Sequence, residues 1–365
     1  MRRAVGVGMC MGLVAISGCD GLDSDPRSEP QAKPDAQAAP PSTAGASEPA
    51  EPVEQVGSEP ELAFAAERVG RLRDARLRES SGLAASIRNP GLFWTVNDSG
   101  GASELFLIGP PAERPGRGDM AVVATAGLDV RLRDCEALAS FEAEGRAWLL
   151  VADVGDNMRD QRAVRLWVFE EPTVHTHTST DANANTDAVA ASAEPIRLRC
   201  RGELRLTYAD GPRDCEAVAV DAASGLILLA SKEIDHRGRF YGQAGLYITP
   251  IDGLWVDAAA GSDTGPGAQP EVRVLDRVTD LPTVIATGMS VSPDGRFLAL
   301  ANYGDGLYAE QPAAGWRALD RFENLPLPPR RQGESIAFGR DGRSLWLTAE
   351  GVGEPVWRVS FDPRP

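Results

Sequence analysis

Histidine is nearly absent from this chain. Its 365 residues hold three, His175, His177 and His236. The first two lie in an Ala/Thr/Asn/Asp-rich tract and the third in a polar stretch. Without a well-held imidazole a Ser-His-Asp triad has no base, and zinc or copper lacks its commonest nitrogen ligand. Helical periodicity is missing too: beyond the first 18 residues no segment repeats its apolar positions at a 3.6-residue spacing, which excludes a helical bundle. The one N-terminal apolar stretch, Ala4–Ile16, is too short to cross a membrane stably. Basic residues are scarce, with 37 Lys and Arg against 53 Asp and Glu and a formal net charge of −16. That balance argues against nucleic acid or an anionic membrane surface as a partner. It favours cations, or substrates brought in with a bound cation.

What the chain does contain is repetition. Arg-Asp-Cys-Glu-Ala occurs at Arg133–Ala137 and again at Arg213–Ala217. Ser81–Ala84, Thr287–Ser290 and Glu334–Ala337 can be laid over the end of that word. After each of the five copies comes a polar turn closed by glycine: Gly91, Gly145, Gly225, Gly295 and Gly342. The gap of about 8 to 10 residues suits one strand and a tight turn. An apolar strand then follows every glycine: Leu92–Val96, Ala147–Val151, Leu226–Ala230, Phe297–Leu300 and Leu345–Thr348. Continuous apolar character predicts strands buried on both faces. Each leads into a carboxylate or amide: Asp98, Asp153, Glu233, Asn302 and Glu350.

Third strands are expected at Leu105–Ile108, Leu166–Phe169, Leu246–Ile248, Leu307–Tyr308 and Val356–Val359. Outer strands are expected near Ala121–Ala124, Leu204–Tyr208, Val272–Leu275 and Arg317–Leu319. The fifth unit ends after its third strand, and Leu62–Arg68 is a spare strand that can complete it. The expectation is therefore an all-β domain over 61–365. It is a β-propeller of five four-stranded antiparallel blades, or six, closed by strands from both ends of the chain. The segments 173–194 and 257–269 lack periodicity and read as mobile surface inserts. With 42% hydrophobic residues and 38 glycines, the composition suits a large turn-rich β core.

Met1–Gly18 reads as a targeting segment, with Arg2 and Arg3 ahead of the apolar stretch. Ile16-Ser17-Gly18-Cys19 resembles the lipobox of bacterial lipoproteins, which implies lipidation at Cys19 and a lipid-anchored place in the cell envelope, facing the periplasm or exterior. Residues 19–60, rich in Ala, Pro, Ser and Glu, read as a disordered tether. Cys135, Cys200 and Cys215 then remain in an oxidising compartment. A bridge between Cys135 and Cys215 in adjacent blades, a pairing with Cys200, or three buried thiols all stay open.

In a propeller blade the connection into the innermost strand and the turn between the second and third strands lie at one end of the sheet. Glu136, Glu216 and Glu334 come from the first set, and the five strand-ending residues from the second. All eight should meet at one mouth of the central channel, where so many carboxylates need a cation, basic partners or shifted pKa values. Calcium, which takes six to eight oxygen ligands in loose geometry, is the expected ion. Asp153–Asn157 and Asn302–Asp305 are the richest oxygen-ligand turns there. The alternative is a structural rim whose carboxylates pair with Arg133, Arg213 or Lys232, or cap turn amides.

Ser81-Gly82-Leu83-Ala84, the words at Glu136, Glu216 and Glu334, Ser292-Pro293-Asp294-Gly295 and Thr348-Ala349-Glu350-Gly351 make the domain similar to secreted bacterial propellers of the phytase-like and gluconolactonase-like group. That resemblance implies a calcium-dependent phosphoesterase or lactonase. Glu136, Glu216 and Glu334, with Asp156, Glu233 and Glu350, would be metal ligands, Asp98 or Asp153 a general base, and Lys232, Asn302 and Tyr303 substrate contacts. The competing expectation, preferred here, is a non-catalytic envelope lipoprotein whose propeller face binds a small-molecule ligand or an envelope protein.

Overall fold

Strands that are apolar along their whole length must be covered on both faces, and the fold does this by radial stacking. The computed structural model describes residues 64–98, 102–110, 119–174, 196–235, 237–254 and 272–362. The lipobox at Cys19, the tether, and nearly all of both inserts lie outside the described residues. Strand β1 (Ala66–Leu72) comes first. Strands β2 (Ser80–Ala85), β3 (Phe93–Asn97), β4 (Glu104–Gly109) and β5 (Ala121–Leu128) form the first blade. The second is built from β6 (Cys135–Ala143), β7 (Arg146–Asp153), β8 (Val164–Glu170) and, after β9 (Ile196–Leu198), β10 (Cys200–Tyr208).

The third blade uses β11 (Cys215–Asp221), β12 (Leu226–Ser231), β13 (Gly245–Pro250) and, after β14 (Val272–Leu275), β15 (Arg277–Asp280). The fourth is β16 (Gly288–Val291), β17 (Phe297–Ala301), β18 (Gly306–Glu310) and β19 (Glu323–Leu325). The fifth is β20 (Ser335–Phe338), β21 (Ser344–Thr348) and β22 (Glu354–Ser360), completed by β1, which pairs antiparallel with β22. Successive innermost strands are neighbours, and β20 neighbours β2, so the ring of five blades closes. Five apolar clusters fill the gaps between successive blades. The fold is a five-bladed β-propeller.

Three of the expected strands fall elsewhere. The closing strand starts later, at Ala66 rather than Leu62, because Leu72 is the residue that reaches the core. Val272–Leu275 does not edge its own blade. It pairs parallel with β10 as a fifth strand of the second blade, while β15 takes the edge of the third. Asp276 separates two short strands here, and periodicity alone does not say which one is the edge. Likewise β9 pairs parallel with β5 as a fifth strand of the first blade. Each long insertion therefore returns through the blade before its own and laces the two together. Arg317–Leu319 falls on a 3-10 turn, Trp316–Ala318, and β19 supplies the edge instead. The turn forms because Trp316 is fully buried, its Nε1 donating to Asp221 at 2.8 Å.

Two buried carboxylates tie adjacent blades together at their hairpin ends. Asp221 of the third blade also accepts from Gln311 Nε2 of the fourth at 3.1 Å. Glu171 of the second accepts from Trp94 Nε1 at 2.9 Å, from the amides of Ile87 and Arg88 at 3.0 and 3.2 Å, and from Ser86 Oγ in the first. Such fully bonded carboxylates fix the angle between blades as well as holding them together. Cys135, Cys200 and Cys215 are free thiols. Of the three possibilities left open by the sequence, unbridged thiols are what the structure has.

Candidate functional site

The repeated sequence word sits where a blade's innermost strand begins, and backbone hydrogen bonds pin it to the end of the second strand. Asp98 N donates to Glu79 O at 2.9 Å, Gly155 N to Asp134 O at 3.1 Å, Lys232 N to Asp214 O at 2.8 Å and Glu350 N to Gln332 O at 3.1 Å. These equivalent bonds bring both sets of acidic residues to one end of the blades.

There Asp98, Asp134 and Glu136 each place one carboxylate oxygen within 4.8 Å of the others. Gly155 lies against this trio. A side chain at 155 would start 2.6 Å from Asp134 Oδ2 and 2.7 Å from Glu136 Oε1, so only glycine leaves the carboxylates their space. Asp98 Oδ1 is buried without a hydrogen-bond partner among the described residues. Ser81 Oγ donates to Glu136 Oε2 at 3.2 Å. No described lysine or arginine forms an ion pair with any of the three. Burial, and then Asp134, push the Asp98 carboxyl up to about 8. Burial, then Asp98 and Asp134, hold Glu136 well above the usual carboxylate range. Burial also raises Asp134, while a hydrogen bond shared with Asp98 pulls it down and Lys232 offsets part of the repulsion from Asp214 and Asp153.

The third blade's part of the mouth is compensated. Lys232, itself buried, pairs with Glu216 and lies 3.6 Å from Asp214. Glu233 is held by Arg159 at 2.8 Å, by Arg213 at 3.5 Å and by Ser231 Oγ at 2.8 Å. Asp153 Oδ1 accepts the amides of Arg133 and Asp134 at 3.0 and 2.8 Å. Asp156 accepts the amides of Asp160 and Gln161, each at 3.0 Å, and so closes its own turn. Glu233, Asp153 and Asp156 are therefore bonded within the protein scaffold.

On the fourth and fifth blades, Asn302 Oδ1 caps the amides of Gly304 and Asp305, both at 2.8 Å. Tyr303 is desolvated, and burial together with Glu334 and Glu350 raises its hydroxyl pKa. Burial, then Glu350, pushes the Glu334 carboxyl up to about 8, against the pull of Lys232 and Arg330. Burial and Glu79 raise Glu350, whose Oε2 accepts from Gln332 at 2.8 Å.

The blade pattern in the sequence points to Asp98 and Glu136 at this mouth but not to their companion Asp134. Asp134 stands inside the repeated word, as does Asp214, one position before the cysteine, so the repeat itself carries the signal. Arg159 and Arg330 carried no such signal, since each acts through a distant partner.

An all-oxygen trio with no ion-pair partner among the described residues is a donor set that could hold a hard divalent cation. The fold and site together define a five-bladed propeller with an acidic mouth. Its third-blade carboxylates are paired, whereas Asp98, Asp134 and Glu136 have no ion-pair partner among the described residues. No family model matches the chain, and no curated protein does. Among solved structures it is similar to the PQQ-bound aldose sugar dehydrogenase of Streptomyces coelicolor, with 11% identity and a TM-score of 0.41 over 83% of this chain and 100% of that one. The soluble aldose sugar dehydrogenase of Escherichia coli in its apo-form gives 13% and 0.40 over 82% and 100%. The Neurospora crassa Pan2 WD40 domain gives 10% and 0.41 over 82% and 98%.

Proposed function

We propose that this protein is a lipid-anchored component of the cell envelope whose propeller mouth binds a ligand with the help of a divalent cation, calcium by preference. The observation that carries the reading is the trio Asp98, Asp134 and Glu136, three carboxylates within 4.8 Å with no described base paired to them. Leaving such charges together in a desolvated place is unfavourable unless a cation or protons intervene. Oxygen-only donors favour calcium over the softer metals. The remaining carboxylates of the mouth support ligand binding through shape and charge: Lys232 neutralises Glu216, and Arg159 neutralises Glu233. The anchor rests on the Cys19 motif and places the mouth outside the cytoplasm, where calcium is abundant.

Titration calorimetry of the full chain checks the cation. Calcium should bind the wild type, and Asp134→Asn should weaken it by about 10- to 100-fold. Glu67→Gln, a change on the exposed outer strand β1, should leave it alone. Calcium heats that are unchanged in the Asp134 variant would sink the proposal. The anchor is checked separately: Cys19→Ser should move the protein from the membrane to the soluble fraction, and retention on the membrane would refute it.

A further inference from the structure

The cations of the mouth differ in one respect that bears on the ligand. Lys232 is taken up by Glu216 and Asp214. Arg159 holds Glu233, donates to Lys232 O at 2.9 Å and lies over the ring of Tyr241 at 3.9 Å. Arg213 holds Asp210 at 3.0 Å as well as Glu233. Arg213 leaves one buried donor, Nε, without a hydrogen-bond partner among the described residues, and Arg330 leaves two. Its Nη2 donates to Asn302 O at 3.1 Å, while Nε and Nη1 are buried with no hydrogen-bond partner among the described residues. Glu334 and Asp305 act on it through charge alone.

Its position is built, not incidental. The guanidinium lies against Gly333, where a Cβ would come within 2.7 Å of Cζ and 2.8 Å of Nη1. Gln332 next to it adopts a left-handed φ of 45°, a strained conformation for a residue with a side chain. That bend is secured by the Gln332 bonds to Glu350 through both side chain and carbonyl. Pro328 and Pro329 stiffen the approach. A strained, glycine-dependent bend that holds a guanidinium short of partners is costly for stability alone, since each buried donor left unmade carries a desolvation penalty. Burial lowers the Arg330 pKa to about 10, so the group stays charged at neutral pH.

We propose that Arg330 is the recognition group for a carboxylate on the ligand, resting on the reading above that the mouth is the ligand site. The free donors fit an oxyanion, because charge-assisted hydrogen bonds are the strong ones and arginine is built to make them. The surroundings select a single negative charge. The carboxylates of Glu334 and Asp305 stand near enough to act on Arg330 through charge, and a second negative charge on the ligand would meet them. A monoanionic carboxylate therefore suits the subsite better than a phosphate dianion. The ligand class is a small acid that offers its carboxylate to Arg330 and further oxygens towards Asp98, Asp134 and Glu136.

Saturation-transfer NMR on the full chain tests this with acetate and inorganic phosphate as probes, in chelator and in calcium. Acetate should receive saturation in both conditions. Arg330→Gln should abolish the signal, and Arg330→Lys should weaken binding by about tenfold, because the charge stays but the planar donors go. Phosphate should displace acetate poorly. Acetate that does not bind, or that binds Arg330→Gln as it binds the wild type, overturns the proposal, and phosphate binding in preference overturns its single-charge element. Should Arg330→Gln fail to fold, the wild type and Arg330→Lys decide the matter by the same comparison. Calcium calorimetry on the same samples separates the two readings. Calcium binding without acetate binding defeats the subsite alone, and acetate binding through Arg330 without calcium binding defeats the cation site alone.

Discussion

Replacing Gly82 with alanine is expected to destabilise the domain by about 3 kcal/mol or more, at the upper end of what over-packing does. That is a large share of the roughly 5–15 kcal/mol by which a whole domain is stable, so the unfolding midpoint should fall clearly. Gly82 lies on the innermost strand β2, where an added Cβ would stand 2.3 Å from Leu138 N and 2.7 Å from Ala137 C of β6. Both are backbone atoms, so no rotamer change relieves the contact. Strand β2 cannot retreat either, because β20 flanks it on the other side of the ring. Gly127→Ala is the control. Its nearest new contact is Ile196 O at 3.9 Å, and its stability should lie within about 0.5 kcal/mol of wild type. Denaturant melts of the two variants beside wild type read the difference. Equal midpoints would mean that the blades do not meet as tightly at their centre as described.

The second large effect is on pH dependence, and its sign is opposite to the usual one. The Asp98 and Glu334 carboxyls, near 3.8 and 4.5 in the open chain, are raised by burial and neighbouring carboxylates to about 8 in the folded protein. Between those values the native state binds more protons than the unfolded state, so the contribution of these groups to stability is present at acid pH and falls as pH rises towards 8. Without a cation, the melting temperature should drop by several degrees between pH 5 and pH 8. If calcium occupies the mouth as proposed, it should restore the loss and act most strongly at the alkaline end. Asp98→Asn should flatten the chelator profile and raise the cation-free melting temperature near pH 8. A metal-free protein whose stability climbs steadily from pH 5 to 8 would contradict the description of the mouth.

The blade grammar was legible because it is local. A turn glycine, an apolar strand and a closing carboxylate fall within one short window, and Gly91, Gly145, Gly225, Gly295 and Gly342 all take the positive φ those turns require. Outer strands are less legible because little of them is buried. β19 exposes Glu323 and Asn324 and buries only Leu325, so composition hardly marks it. The parallel strands β9 and β14 cannot be read locally at all, since their partners are fixed by where a long insertion returns.

The same division runs through the site. That carboxylates gather at one mouth follows from blade geometry and could be inferred. Which of them lack a counter-charge could not. Glu233 looked like Asp98 in sequence, yet Arg159, 74 positions away, pairs with it, while no described base pairs with Asp98. Nothing local in the sequence marks Arg330; only the bend at Gln332 and its packing against Gly333 set it apart.

Thermal unfolding of the wild-type chain near pH 8, in calcium and in chelator, tests the central claim most directly. A ligand bound only by the native state must stabilise it, so the account predicts a rise of several degrees in calcium, increasing with its concentration and lost in Asp134→Asn. Identical melting curves in calcium and chelator would contradict it, and would leave the mouth a protonated, structural rim.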